Sequence, residues 1–345
     1  MSIKARTGWD ESMNLKNIFV SKRGGIGDVI LSTPILRALK NKFPDSTISL
    51  LTFANAVESV GELPYIDNIL IYDKRLSTSL KIVKHIWHYD LALMLDYSYR
   101  PAFLAYIAQI PIRVGVKHKR ASLLSHGVEE DPLLDEYYEP YNFANVLKRG
   151  IGLDLITDDL EKIDISPGSN ADKRHVERLL QSHGLDNEHF VAVAPFTAFA
   201  PKDWPLDNYR ILIHKIQSQF QLPVVLLGTQ QHAERVRDLP AINLFGQTTF
   251  IQMSEVIRRA KLLVGSCSGH THVAAAVSTP AVVLYGPGSA KRWFPQKSAI
   301  GVTINLPCSP CQTQDRVCDE HLCMRQMSVD LVFNAVEHAL TKICS

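Results

Sequence analysis

Ser268-Gly269-His270-Thr271-His272 stands between two apolar runs, Leu262–Gly265 and Ala281–Tyr285, within the stretch Lys261–Trp293. Short apolar runs bounded by turn residues suit buried parallel strands, and the spacing predicts a crossover helix starting near His270. Ser268 is a suitable N-cap and Gly269 lets a ligand approach the backbone, so free N–H groups and the positive helix end face whatever lies above the strand ends. An anion is the natural guest, although a plain βαβ turn uses the same residue types. Gly286-Pro287-Gly288, followed by Lys291 and Arg292, adds a second glycine loop with two cations at the same sheet edge. Two such loops suit a diphosphate. Lys202, in Pro195–Trp204, follows another apolar run, and on a loop at a strand end it can set a point charge on a phosphate.

The amino-terminal counterpart is Lys22-Arg23-Gly24-Gly25-Ile26-Gly27-Asp28, a glycine turn after the apolar run Asn17–Val20. It invites a dinucleotide reading, but Ile30 stands where the third glycine belongs. The next strand, Thr47–Phe53, ends in Ala54 and Asn55 with no acid for a ribose, which argues against NAD. Asp28 has two readings: a helix N-cap, or a general base kept ionised by the helix dipole and by Arg23. Cys308, Cys311, Cys318 and Cys323 form C-x2-C-x6-C-x4-C in a polar loop. Four thiolates so spaced can close a tetrahedral site for zinc or iron, or remain unbound thiols. The lysine-rich loop Lys117-His118-Lys119-Arg120 is either a solvated turn or a seat for a phosphorylated or acidic acceptor.

These residues need a scaffold of alternating strands and helices, and the pattern supplies two. Runs at Ile69–Tyr72, Leu91–Leu95 and Ile112–Val116, with a helix over Leu76–Trp87, continue a first parallel α/β sheet. The pattern restarts with strands at Phe190–Ala194, Pro223–Leu227 and Asn243–Phe245. Helices are predicted over Asn208–Phe220, up to Arg237, and over Met253–Ala260. A polar segment, Asp158–Lys173, contains Pro167-Gly168 and marks the boundary. With 46% hydrophobic and 21% charged residues, the chain has material for two cores. A net charge of +2 without like-charge runs gives no sign of a nucleic-acid partner. The first fourteen residues lack a signal-peptide core and no apolar run reaches the roughly 18 residues of a membrane span, so a cytoplasmic protein is expected. Six cysteines in so long a chain favour thiols or a metal over a disulfide framework.

Taken in order, Gly25-Ile26-Gly27-Asp28-Val29-Ile30, Lys202-Asp203-Trp204-Pro205, Ser268-Gly269-His270-Thr271-His272, Thr279–Pro287 and Arg292-Trp293 resemble the lipopolysaccharide heptosyltransferases, glycosyltransferase family 9. The resemblance runs from about Asn17 to the last helix. It implies a GT-B fold, α/β, with two Rossmann-like doubly wound domains facing across a cleft. Residues 1–175 would form the acceptor-binding domain and 176–327 the nucleotide-sugar donor domain, with 328–345 a carboxyl-terminal helix packing back on the first. It also implies Asp28 as catalytic base, Lys202 on the donor diphosphate, and Thr197, Ser268, Gly269 and His272 as donor-binding residues. Where most members have Asp before the Ser-Gly pair, this chain has Cys267, expected to face the donor sugar.

The implied activity is transfer of heptose from ADP-heptose to a lipopolysaccharide core or related lipid-linked saccharide at the inner membrane, by a protein that is cytoplasmic or peripheral at the inner face of that membrane. No D-x-D triplet occurs in the chain, so an inverting, metal-independent displacement is expected, with no catalytic cofactor and at most a structural zinc or iron at the cysteines. A nucleotide-sugar epimerase and a non-catalytic nucleotide-sugar binder are the alternatives.

Overall fold

A computed structural model of the chain describes residues 14–185, 189–293, 299–311, 318 and 320–344. It divides into two compact units, Met1–Ser166 and Pro167–Ser345. The division falls at the predicted Pro167-Gly168 break, some residues before position 175.

In the first unit the strands are β1 (Asn17–Ser21), β2 (Thr47–Thr52), β3 (Asn68–Ile71), β4 (Leu91–Met94), β5 (Ile112–Val116) and β6 (His126–Val128). The second has β7 (Val191–Ala194), β8 (Val224–Leu226), β9 (Ile242–Asn243), β10 (Leu262–Ser266), β11 (Ala281–Tyr285) and β12 (Ala299–Thr303). The sheet orders are β3-β2-β1-β4-β5-β6 and β12-β11-β10-β7-β8-β9. All pairings are parallel. Counted from the start of each unit, both sheets run 3-2-1-4-5-6, the dinucleotide-fold order. The central strands β1, β4, β7, β10 and β11 are apolar on both faces because helices cover both sides.

Three local differences from the sequence reading have physical causes. The apolar helix after the first glycine turn breaks into Ile26–Ile30 and Thr33–Lys42. Pro34 has no N–H to bond back to the Ile30 carbonyl, and the hydroxyls of Ser32 and Thr33 donate to the carbonyls of Val29 and Ile30 at 2.7 Å. The segment before Arg237 is a 3-10 stretch, Gln230–Val236, in place of a full helix. Strands β6 and β12 go beyond the sequence reading because edge strands of three to five residues containing glycine carry little periodic signal, and so does the helix Tyr99–Ile107, whose apolar residues fall on both its sides.

The resemblance assigns the last helix to the surface of the first domain; the structure places it in the core of the second. The helix Val329–Cys344 buries Val332, Phe333, Val336, Ala339 and Leu340 in the same apolar cluster as β7, β10 and β11. Lys215 and Phe220, on the helix Leu206–Phe220, meet Asp330 at 2.6 Å and Phe333 at 6.2 Å.

Candidate active site

In open α/β sheets the ligand crevice lies outside the carboxyl ends of the strands at the switch point where strand order reverses. Here those points are β1/β4 and β7/β10, and the candidate residues follow these strands directly.

Asp28 occupies the third position of the helix Ile26–Ile30. Its Oδ2 accepts the Gly25 N–H at 3.0 Å; Gly25 is itself the N-cap, so Asp28 is not the N-cap but an acid of the first turn that reaches back to it. Its Oδ1 lies 3.6 Å from Lys22 Nζ, whose side chain is 7% exposed against 38% for Asp28. Lys22 also lies over the Phe143 ring, 4.9 Å from its centroid. Gly24 is required by close approach: a Cβ there would stand 2.8 Å from Asp28 Oδ2.

Arg23, expected beside Asp28, belongs instead to Asp96. The Asp96 carboxylate is buried just beyond β4 and accepts from Ser21 Oγ at 2.8 Å, Ser98 N at 2.8 Å, and Arg23 N and Nε at 3.3 Å. A desolvated carboxylate takes the nearest planar cation, and Arg23 is held further by the rings of Phe53 and Tyr72 at 5.6 and 5.0 Å. Arg120 of the basic loop is buried with NH1 3.9 Å from Asp96 Oδ1. Burial lowers its pKa and Asp96 opposes the shift. Lys117 pairs with Glu129 at 2.6 Å, which leaves His118 and Lys119 as the exposed basic residues of that loop.

After β7, the Thr197 N–H donates to Asp203 Oδ1 at 2.8 Å, while its hydroxyl donates to the Phe199 carbonyl at 2.7 Å and accepts from Phe199 N. These bonds close a compact loop around the short turn Ala200–Lys202. Burial pushes the Asp203 carboxyl up, opposed by the Thr197 bonds, Arg235 and His232. Lys202 is half-buried, and among the described residues no acid pairs with its ammonium group. Trp204 anchors the loop: it is buried, donates from Nε1 to Met327 O at 2.9 Å, and meets Tyr209 edge-on at 4.9 Å.

After β10, Ser268 is the N-cap of the helix Gly269–Ala276. The Thr271 hydroxyl closes this turn by donating to Ser268 O at 2.8 Å, and Ser268 Oγ lies 3.3 Å from His270 Nδ1. Burial pulls the His270 imidazole down to about 4, so it is neutral near pH 7. His272, in the same first turn, is buried.

Cys267, expected to face the donor sugar, is buried at 6% exposure, and its N–H pairs with Leu284 O at 3.1 Å. Strand β10 ends at Ser266, and Cys267 opens the turn while its N–H still bonds across to β11. Beside it β11 runs into Gly286, so three loops, after β7, β10 and β11, share one edge of the second sheet. Arg292 lies over the Trp293 ring at 4.6 Å.

The cysteine loop is tied to the same edge. Ser309 Oγ donates to Gly286 O at 2.6 Å, Cys311 N donates to Pro287 O at 3.0 Å, and a Cβ on Gly286 would stand 2.9 Å from Cys323 Sγ. Burial first, and then the neighbouring thiols, raise the pKa of Cys311 and Cys323. Yet among the described residues no three His, Cys, Asp or Glu side chains stand close enough to hold a metal ion. Of the two sequence readings, a four-cysteine cage and unbound thiols, the described geometry has the thiols apart.

Sequence reasoning missed Lys22 and Asp96. Asp96 had a signal in its place just beyond β4, across the switch point from the glycine turn; the pairing of Lys22 needed coordinates.

Residues 80–321 match glycosyltransferase family 9 (heptosyltransferase). Lipopolysaccharide heptosyltransferase 3 of Escherichia coli K12 is 24% identical over 290 residues, 78% of this chain and 82% of that protein. The structure of E. coli ADP-heptose lps heptosyltransferase II superposes with a TM-score of 0.77 at 21% identity, covering 96% of this chain and 100% of that one. The iron-containing dodecameric glycosyltransferase TibC of enterotoxigenic E. coli superposes at 0.63 with 13% identity, over 96% and 81% of the two chains. The paired dinucleotide-type sheets and the match over most of its length place the chain in glycosyltransferase family 9, the heptosyltransferase family, with the GT-B fold.

Proposed function

We propose that this enzyme moves heptose from ADP-heptose onto a lipopolysaccharide core or related lipid-linked saccharide at the cytoplasmic face of the membrane, with inversion and without a catalytic metal ion. The observation that carries the reading is the placement of loops at the two switch points, an acid on one and a lysine with a helix start on the other. In the reaction the acceptor hydroxyl oxygen bonds to the anomeric carbon and its proton passes to Asp28. The bond to the diphosphate oxygen breaks, and its electron pair leaves with ADP. Asp28 can accept that proton because one amide and one ammonium group leave part of its carboxylate exposed. Lys202 and the N–H groups of Gly269 and His270, at the start of the helix, oppose the charge that grows on the diphosphate. His270, neutral near pH 7, serves that site as a hydrogen-bonding group and adds no charge. Thr197 and Asp203 hold Lys202 in place by closing its loop.

The likeness to TibC and the spacing of Cys308, Cys311, Cys318 and Cys323 support one structural iron or zinc ion at the cysteine loop. No step of the transfer depends on it. The defining experiment incubates the enzyme with ADP-heptose and a heptose-deficient lipopolysaccharide core, reading ADP release and the anomeric configuration by NMR. Inverted product at a rate indifferent to added magnesium is expected. Retained configuration, or intact ADP-heptose, overturns the reading.

A further inference from the structure

The helix Tyr99–Ile107 is apolar on both sides: Pro101, Ala102, Leu104 and Ala105 are buried, while Tyr99, Phe103, Tyr106 and Ile107 are exposed. A helix apolar all round normally lies inside a core, yet Tyr106 is 50% exposed. The exposed residues fall at i, i+4, i+7 and i+8, one continuous stripe, and Tyr99 stacks on Phe103 at 6.1 Å. The helix Leu76–His85 packs beside it and repeats the feature, with Leu76 76% and Leu80 62% exposed. Both helices rest on one core cluster, through Ile82 from one and Ala102, Leu104 and Ala105 from the other. Two neighbouring helices thus present large apolar side chains outward, more than scattered surface apolar residues require.

The charge around this face is one-sided. Nine of the chain's 37 Lys and Arg but two of its 35 Asp and Glu fall between Lys74 and Arg120, so the remaining sequence is net acidic. Neither acid is available to the surface: Asp90 accepts from the N–H groups of Lys16 and Asn17 at 2.8 Å, and Asp96 is buried among its donors. Arg75, Lys81, Lys84 and Arg100 are exposed on the two helices or at their start, and the Arg113 guanidinium lies over the Tyr106 ring at 5.4 Å. The exposed Asp73 just ahead of this stretch is paired with Arg75 at 3.7 Å, and leucines and aromatic residues rimmed by Lys81, Lys84 and Arg100 match the headgroup and upper acyl region of an anionic bilayer.

We propose that the face formed by the helices Leu76–His85 and Tyr99–Ile107 docks the first unit on an anionic lipid surface, with Leu76, Leu80, Tyr99 and Phe103 entering the interface. Both helices start at the carboxyl edge of the sheet, and Arg100 donates to the Tyr72 hydroxyl at 3.2 Å, beside the Arg23–Asp96 pair that follows the glycine turn. The docking face therefore begins at the sheet edge that carries Asp28. This deepens the reading of a lipid-linked acceptor but is tested apart from transfer.

The full chain is mixed with vesicles of phosphatidylethanolamine and phosphatidylglycerol, or of neutral phosphatidylcholine alone, and sedimented at low and high salt. Binding to anionic vesicles is expected, weakened by salt and by removal of charge. Lys81→Ala with Lys84→Ala should each weaken partition by about fivefold. Leu80→Ser with Phe103→Ser should reduce it by about tenfold or more while circular dichroism stays unchanged, since both side chains are on the surface. A wild type that stays in the supernatant with both vesicle types overturns the proposal, as does binding that neither variant pair alters. So does a dimer in light scattering that the Leu80 and Phe103 changes dissociate, which would identify the face as a contact between copies. Vesicle binding without heptose transfer would sustain this inference and count against the proposed reaction.

Discussion

Lys22 Nζ lies 3.6 Å from Asp28 Oδ1, while the N–H of Gly25 takes the other oxygen at 3.0 Å. One acid therefore fastens the start of its helix and keeps part of its carboxylate toward solvent. Asp28→Asn retains an oxygen for the Gly25 N–H but cannot accept the acceptor's proton. Turnover should fall roughly 10²–10⁴-fold with ADP-heptose binding nearly intact. Unchanged turnover, measured by ADP release, would leave Asp28 as a cap and nothing more.

Lys202 is held in a closed loop by Thr197, Asp203 and Trp204, and no acid among the described residues engages it. Lys202→Ala should weaken both ADP binding and kcat/KM, because a phosphate contact acts in ground and transition states alike. Calorimetric titration with ADP decides it; equal affinity in variant and parent would reduce the residue to a surface charge.

Burial of Cys267 reverses the sign of the change expected from sequence. With a cleft-facing thiol, Asp would be tolerated there and would alter donor preference. With the thiol 6% exposed, Cys267→Asp buries a carboxylate and should lower stability by several kcal/mol, on the order of 10 °C in Tm. A variant that melts with the parent and ranks ADP-sugars differently would restore the original expectation.

His270 gives the fold a pH dependence whose direction follows from linkage. Its folded-state pKa, about 4, lies below the 6.5 of the free side chain, because burial disfavours the cation. The unfolded chain therefore takes up a proton first as pH falls. Stability is fully present above about pH 6.5 and is lost progressively down to about pH 4, by at most about 3 kcal/mol. His270→Gln should flatten the Tm profile across that window and leave it unchanged above pH 7.

At the cysteine loop, metal analysis of protein purified without chelator should find about one iron or zinc ion per chain. Cys308→Ser and Cys318→Ser should each release it and lower Tm without changing kcat at low temperature. A folded, metal-free parent would assign the four thiols to packing and to the Gly286–Pro287 contact alone.

Much of this architecture was legible in the sequence because strands buried on both faces leave unmistakable marks. Leu262–Ser266 and Ala281–Tyr285 are apolar at every position but for small or terminal polar residues, and the turns between them hold the Gly, Ser and Pro that a parallel α/β unit needs. Edge strands were less legible, since His126–Val128 and Ala299–Thr303 are short and partly exposed. Residue order also set which loops follow which strands, and hence which side chains reach the switch points.

What order along the chain could not decide was who pairs with whom. Arg23 and Lys22 are adjacent, yet Arg23 turns to Asp96, 73 residues away, and Lys22 to Asp28. The choice depends on which carboxylate is desolvated, a property of the folded sheet edge alone. The same holds for Cys267, whose burial follows from where β10 stops pairing with β11, and for the last helix, whose apolar face fits the second core. Local sequence sets element type through periodicity and turn chemistry; partner, burial and charge environment arise only when distant segments meet.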